Sequence, residues 1–209
     1  MNLKFLIVII VGVTIISCDF HNAEYYKLMG DKYINKGNAE KALRNYSKAI
    51  ELDSTNYYPY HKRAMIYFAQ KQYELAIKDF SQAITYNPNN LEIYSNRAYC
   101  FVFQKKYYYT LKDLNHIISK STTDANAYNN RAAIYITLGK NNLAIKDDDI
   151  AIALDPKFGS AYSNRAIAYK NLGEKESSIK DFKKSVDLGE NNGSQLLKKF
   201  YNIDYTVIK

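Results

Sequence analysis

Arginine and aspartate recur in this chain at a fixed register. Arg63, Arg97, Arg131 and Arg165 stand 34 residues apart, and Asp79, Asp113, Asp147 and Asp181 each follow one of them by 16 residues. A guanidinium and a carboxylate can form a bidentate ion pair. The register therefore raises a structural salt bridge in each repeat, with shared ancestry of the two positions as the alternative account. The other residues that could do chemistry lack partners. His21, His61 and His116 have no metal-ligand spacing. Asp147-Asp148-Asp149 is acidic, but no second ligand cluster or calcium-loop spacing accompanies it. A solvated or arginine-paired run is expected there, and no metal site. No GxSxG, HExxH or Walker-type glycine-rich loop occurs, so neither an enzyme nor a small-molecule cofactor is expected.

The elements that carry these residues follow from the same period. Five windows fit end to end without insertion or deletion: 23–56, 57–90, 91–124, 125–158 and 159–192. Position 4 reads Tyr26, Tyr60, Tyr94, Tyr128, Tyr162, and position 8 reads Gly30, Ala64, Ala98, Ala132, Ala166. Position 11 reads Tyr33, Tyr67, Phe101, Tyr135, Tyr169, and position 20 reads Ala42, Ala76, Thr110, Ala144, Ser178. Positions 1–14 and 17–30 carry apolar residues at helical spacing. Each window is therefore expected to form two helices. Lys36-Gly37-Asn38, Leu138-Gly139-Lys140 and Leu172-Gly173-Glu174 supply turns between them, because glycine suits the left-handed backbone at a helix C-terminus. Pro59 falls in a first helical turn, where no amide donor is lost. Small residues at 8, 20 and 27 let two helices approach, and large ones at 4, 11 and 24 fill the space beside them. A lone pair cannot bury its apolar face, so the pairs must stack and the last needs a cap. Residues 193–209 are expected to hold a capping helix over Ser194–Tyr201, started by Ser194, and a tail with no assigned role.

This large–small–large pattern, closed by Pro88 or Pro156 at position 32, resembles the tetratricopeptide repeat (TPR). The resemblance implies an all-α fold: a right-handed superhelical solenoid of five tandem helix-turn-helix repeats with a C-terminal cap. In that family position 7 is usually Leu, so the four arginines are a departure. Window one lacks both members of the pair, with Met29 and Asn45. The family's first helices line a concave groove through positions 2, 5, 9, 12 and 13. The resemblance thus implies a partner-binding groove of Tyr58, His61, Met65, Phe68, Tyr99, Val102 and Phe103. Asn126, Asn129, Ile136 and Ser163 continue it with more polar character. The family's clamp for a chaperone's C-terminal carboxylate does not carry over. Lys27 matches its first lysine, but Asp31, Lys62, Glu92 and Asn96 stand at its other positions. At position 24, a large apolar position, window four has Asp148. Window three is the least regular, with Thr110 and Ile117 at small positions and Lys120 at an apolar one.

The first residues read as an export signal. Lys4 precedes an unbroken apolar run, Phe5–Ile16. The run is shorter than the about 20 residues that span a bilayer, and its length fits the hydrophobic region of a secretory signal. Ile15-Ile16-Ser17-Cys18 resembles a bacterial lipobox. That implies a signal peptide over 1–17, a diacylglyceryl thioether on Cys18 and a short tether over 18–22. Two or more acyl chains anchor a protein stably. Cys100, the only other cysteine, sits between core residues Tyr99 and Phe101 and reads as a small buried hydrophobe.

Composition is consistent with a folded binding protein. The chain is 47% hydrophobic with 21 Tyr and carries a net charge of +8. The positive charge is spread over the windows, whereas nucleic-acid binders concentrate it on one face, so no nucleic-acid partner is expected. The expected function is a membrane-anchored adaptor or scaffold holding a protein or peptide partner in the bacterial cell envelope. It would sit on the inner or outer membrane, on the periplasmic or surface side. A pilotin-like assembly factor for a pilus, secretion or outer-membrane complex is one alternative. A carbohydrate-binding envelope lipoprotein is another.

Overall fold

A computed structural model describes residues 22–205. Cys18, its leader and the last four residues lie outside the described residues, as does the lipidation expected there. Eleven helices run through the described residues, with no strand among them. They are α1 (Ala23–Asn35), α2 (Ala39–Leu52), α3 (Tyr57–Ala69), α4 (Tyr73–Tyr86), α5 (Leu91–Phe103) and α6 (Tyr107–Lys120). Then come α7 (Ala125–Thr137), α8 (Asn141–Leu154), α9 (Gly159–Leu172), α10 (Lys175–Asp187) and α11 (Asn191–Tyr201). Each expected window is one hairpin, and α11 follows the fifth. No helix among the described residues is long and apolar enough to cross a membrane.

Four of the helix starts carry a short polar side-chain cap. The side chains of Asn22, Asn38, Asn56 and Asp124 accept hydrogen bonds from the backbone amides of Tyr25, Lys41, Tyr58 and Ala127. Each satisfies a donor that the first helical turn leaves without an intrahelical partner. The turns inside the hairpins are equally local. Gly37, Gly139 and Gly173 occupy position 15 with φ of 70°, 72° and 84°. In the second and third hairpins the same left-handed position is held by Lys71 and Lys105, at φ 59° and 56°. The turn geometry is therefore retained where the glycine is absent, at a steric cost to the Cβ.

The chain forms two compact units, divided between Ile93 and Tyr94 within α5. In the first unit Ala42, Tyr46 and Ile66 are buried together, with Tyr33 and Leu43 packed against them. Tyr46 explains why position 8 is glycine in this hairpin and alanine in the rest. A Cβ on Gly30 would overlap the Tyr46 ring. In the second unit Ala132, Ala144 and Ala168 let α7, α8 and α9 approach closely. At its end Leu197 of α11 is fully buried against Ala166 and Phe182. This capping helix begins at Asn191, earlier than the expected Ser194. The Ser194 hydroxyl instead donates to the Tyr205 carbonyl at 2.7 Å. Asn202 turns the backbone with φ 56°, and Ile203 and Tyr205 pack on the same cluster. Residues 202–205 thus extend the cap.

Asp148 is the exception in the core. It stands at position 24, where the other hairpins have Tyr46, Phe80, Leu114 and Phe182. Its side chain is fully buried, and neither carboxylate oxygen has a hydrogen-bond partner among the described residues. Burial, and then the neighbouring Asp147 charge, push its carboxyl up to about 9. Desolvation disfavours the ionised form, so Asp148 is a neutral acid at neutral pH. Asp147 and Asp149 are occupied with arginines, so the three acids do not converge on a common point.

Two predictions follow from these strained places. Replacing Lys71 or Lys105 by Gly removes the Cβ clash and outweighs the added chain entropy. Each variant should gain about 0.5–1 kcal/mol in chemical denaturation, and no gain would show that the backbone there is unstrained. Asp148→Leu should stabilise the protein by an amount that depends on pH. Between the ordinary carboxyl value and about 9 the unfolded chain releases this proton while the folded chain keeps it. Wild-type stability is therefore fully present at low pH and falls as pH rises through that window. The advantage of Asp148→Leu should widen from pH 5 to pH 8, and parallel stability curves would contradict a buried neutral acid.

Candidate functional site

The arginine–aspartate register becomes a repeated contact. Arg63 donates to Asp79 through Nε at 2.6 Å and Nη2 at 2.9 Å. Arg97 meets Asp113 at 2.9 and 2.7 Å, Arg131 meets Asp147 at 2.7 Å twice, and Arg165 meets Asp181 at 2.6 and 2.9 Å. Each pair joins the first and second helices of one hairpin. The four aspartates are buried and the arginines largely so. The guanidinium groups also lie over the position-4 and position-11 rings. Arg131 is 5.5 Å from the Tyr128 centroid and 5.9 Å from that of Tyr135. Arg165 is likewise placed between Tyr162 and Tyr169. The remaining guanidinium nitrogen reaches the preceding hairpin. Arg63 bonds Ser47 at 2.8 Å, Arg131 bonds Asn115 at 2.7 Å and Arg165 bonds Asp149 at 2.6 Å. These acceptors all stand at position 25. The sequence reading missed them, although windows one to four carry Ser47, Ser81, Asn115 and Asp149 there.

The groove positions fall into open and closed groups. Met65 is 39% exposed, Tyr99 44% and Phe103 58%, and Asn126 is exposed as well. His61 and Asn129, expected to face the groove, are instead buried. The His61 ring lies 5.9 Å from Phe80 of α4, and burial holds its pKa below the ordinary value. Asn129 of α7 accepts from Asn164 of α9 at 2.8 Å, so its amide ties two hairpins together. Phe68 packs edge-on against Tyr73, with centroids 5.9 Å apart. Ser163 is half-buried. At Asn129, position 5 faces the next first helix, which is why its polar side chain is not open.

Each unit carries an apolar hollow on these first helices. In the first unit it measures about 700 Å³, and Ile34, Tyr58, Met65, Ile66 and Ala69 line it together with Asp31 and Lys62. Asp31 is its polar centre, a role the sequence reading did not assign. Its carboxylate accepts the Tyr46 hydroxyl at 2.6 Å and the Tyr58 hydroxyl at 3.1 Å. Burial, and then the Asp31 bond, push the Tyr58 phenol up to about 12. In the second unit a hollow of about 160 Å³ is lined by Tyr99, Val102, Leu114, Ala133 and Ile134. There Asn130 donates to the Tyr99 hydroxyl at 3.2 Å. Among the described residues no three His, Cys, Asp or Glu side chains are placed to share a metal ion. The one described cysteine, Cys100, is buried, and burial pushes its thiol up to about 12. It is therefore a poor nucleophile at neutral pH.

Comparison with known proteins agrees with this geometry. Two sequence models of the family match, one described as TPR repeat over residues 30–70 and 64–102, the other as tetratricopeptide repeat over 125–158 and 159–192. No curated protein matches the sequence. Among solved structures, the MamA protein is similar with a TM-score of 0.75 and 23% identity, covering 88% of this chain and 98% of MamA. YrrB, described as a TPR protein with an unusual peptide-binding site, gives 0.76 at 20% identity over 90% of this chain and 97% of its own. A tetratricopeptide repeat protein from Parabacteroides merdae gives 0.79 at 20% identity, covering 86% of this chain and 73% of that one. At these identities the likeness concerns the fold.

The two groove tyrosines should respond differently to truncation. Tyr58 is half-buried and bonded to Asp31, so Tyr58→Ala should cost about 1–3 kcal/mol of stability. Tyr99 is nearly half exposed, so Tyr99→Ala should change stability by less than about 1 kcal/mol. Thermal unfolding of the two variants checks this, and equal losses would mean that Tyr99 is a core residue.

Proposed function

Because this chain belongs to the tetratricopeptide-repeat family, we propose that it is a lipid-anchored adaptor that holds a protein or peptide partner on its first helices. The repeat fold is a scaffold for protein interaction, and its residues are committed to packing. The observation that carries the reading is the hollow on the first helices of each unit. Each has apolar walls and a few fixed polar groups, as binding sites for peptides and small ligands do. The hollow of the first unit has room for several side chains, and that of the second for one. Exposed aromatic and thioether side chains, Tyr99, Phe103 and Met65, supply anchors of the kind that dominate binding energy.

The anchor rests on the lipobox-like Ile15-Ile16-Ser17-Cys18. Two or more acyl chains on Cys18 would hold the protein at a bacterial membrane. The four residues between Cys18 and Ala23 reach roughly 14 Å, so the first hairpin would work close to that surface.

One experiment addresses both parts. Wild type, Cys18→Ser and Tyr99→Ala are grown with a palmitate analogue, purified from detergent-solubilised membranes, and their companions identified by mass spectrometry. Label should be confined to the proteins that keep Cys18. A companion protein should be retained by wild type and weakened by Tyr99→Ala by about tenfold, equivalent to 1–2 kcal/mol. Equal label on Cys18→Ser would end the lipid anchor. Retention of glycan in place of protein would replace the adaptor by a carbohydrate-binding protein.

A further inference from the structure

Asp31 is a carboxylate held in place but not neutralised. It stands in the wall of the first unit's hollow. Tyr46 and Tyr58 each donate a hydroxyl to it, which fixes its orientation with neutral groups. Among the described residues no lysine or arginine nitrogen lies within ion-pair distance of it. Neither Lys27 nor Lys62 forms an ion pair with it. Lys27 pairs with Glu24 at 2.7 Å. Lys27 and Lys62 both lie over the Tyr58 ring, at 5.4 and 5.2 Å from its centroid. Position 9 of the five windows reads Asp31, Met65, Tyr99, Ala133 and Ile167, so Asp31 is the one charge in that row.

A purely apolar occupant would bury this carboxylate without a direct ion pair, at considerable cost. An acidic occupant would add repulsion. A basic side chain satisfies both halves of the hollow, because lysine and arginine bury their methylene stems and need an anion for their heads. We infer that the hollow holds a lysine or arginine side chain of the bound segment, its stem along Ile34, Met65 and Ala69 and its cationic head on the Asp31 carboxylate between Tyr46 and Tyr58. This rests on the reading that the groove takes a peptide, and it adds the residue class that the first unit selects. The hollow of the second unit offers no carboxylate, so the selection is confined to the first.

The test uses the full chain in a neutral detergent, with n-butylamine, n-butanol and butyrate as probes. The methyl signals of Ile34 and Met65 are followed by NMR. Butylammonium should saturate these shifts at a concentration at least fivefold below butanol, and butyrate should not shift them. Asp31→Asn keeps an acceptor for both tyrosine hydroxyls, so the fold should persist while the preference for amine over alcohol disappears. Tyr58→Phe, which keeps the ring and removes one donor, should reduce the preference without abolishing it. Equal saturation by amine and alcohol in wild type, or an unchanged preference in Asp31→Asn, overturns the inference. A second arm separates it from the adaptor reading. Two fluorescent peptides are titrated that differ only in lysine against norleucine at the central position. Binding of both alike with no effect of Asp31→Asn sinks the basic subsite and leaves the groove. Amine selectivity in the absence of any peptide binding sinks the adaptor and leaves the subsite.

Discussion

From the second hairpin on, one guanidinium connects three places at once. It lies over a position-4 ring, takes both oxygens of an aspartate on the paired helix, and in three hairpins reaches a polar side chain of the preceding one. The charge is largely removed from water, so the attraction is strong but so is the desolvation penalty. Replacing both partners with apolar residues of similar volume is often neutral or stabilising. Losing one partner costs about 3–5 kcal/mol, because a buried charge is then left alone. The value of the contact therefore lies in specifying geometry. An Arg fork accepts a carboxylate in one plane and one direction, and that fixes how α3 meets α4, or α7 meets α8, along the hairpin axis.

The first hairpin solves the same problem with different residues. Met29 and Asn45 replace the ion pair, and Tyr46 fills position 24 with a ring large enough to require glycine at position 30 of the chain. The phenol then has to be satisfied, and Asp31 accepts it. The Tyr46 ring thus comes paired with a carboxylate in the wall of the hollow. The structural exception and the candidate binding residue are the same carboxylate.

Asp31 and Asp148 show how far environment decides the behaviour of one side chain. Asp31 is half-buried, bonded by two hydroxyls and open to the hollow. Asp148 is fully buried without a hydrogen-bond donor, and beside the Asp147 charge, so it holds its proton. The first can attract a cation from outside. The second cannot, and it lowers the stability of the fourth hairpin at neutral pH, at a place where the repeat elsewhere puts a ring or a leucine.

Much of this was legible in the chain itself. The 34-residue period determined the hairpins, because alternating small and large residues at fixed positions can be buried only by pairing and stacking. The arginine–aspartate offset of 16 pointed to one helix facing the next. The turn positions were visible as Gly37, Gly139 and Gly173. Other features were decided only by tertiary structure, for one physical reason: burial and partners depend on neighbours that are distant in sequence. His61 and Asn129 stand on the same first helices as the open Met65 and Asn126, yet both are buried. Ser194 resembles a helix start until residues 202–205 fold back and take its hydroxyl. Asp148 reads as part of a solvated acidic run until position 24 encloses it. Asp31 reads as a departure from a family clamp, and only the approach of Tyr46 from α2 and Tyr58 from α3 makes it the centre of a hollow.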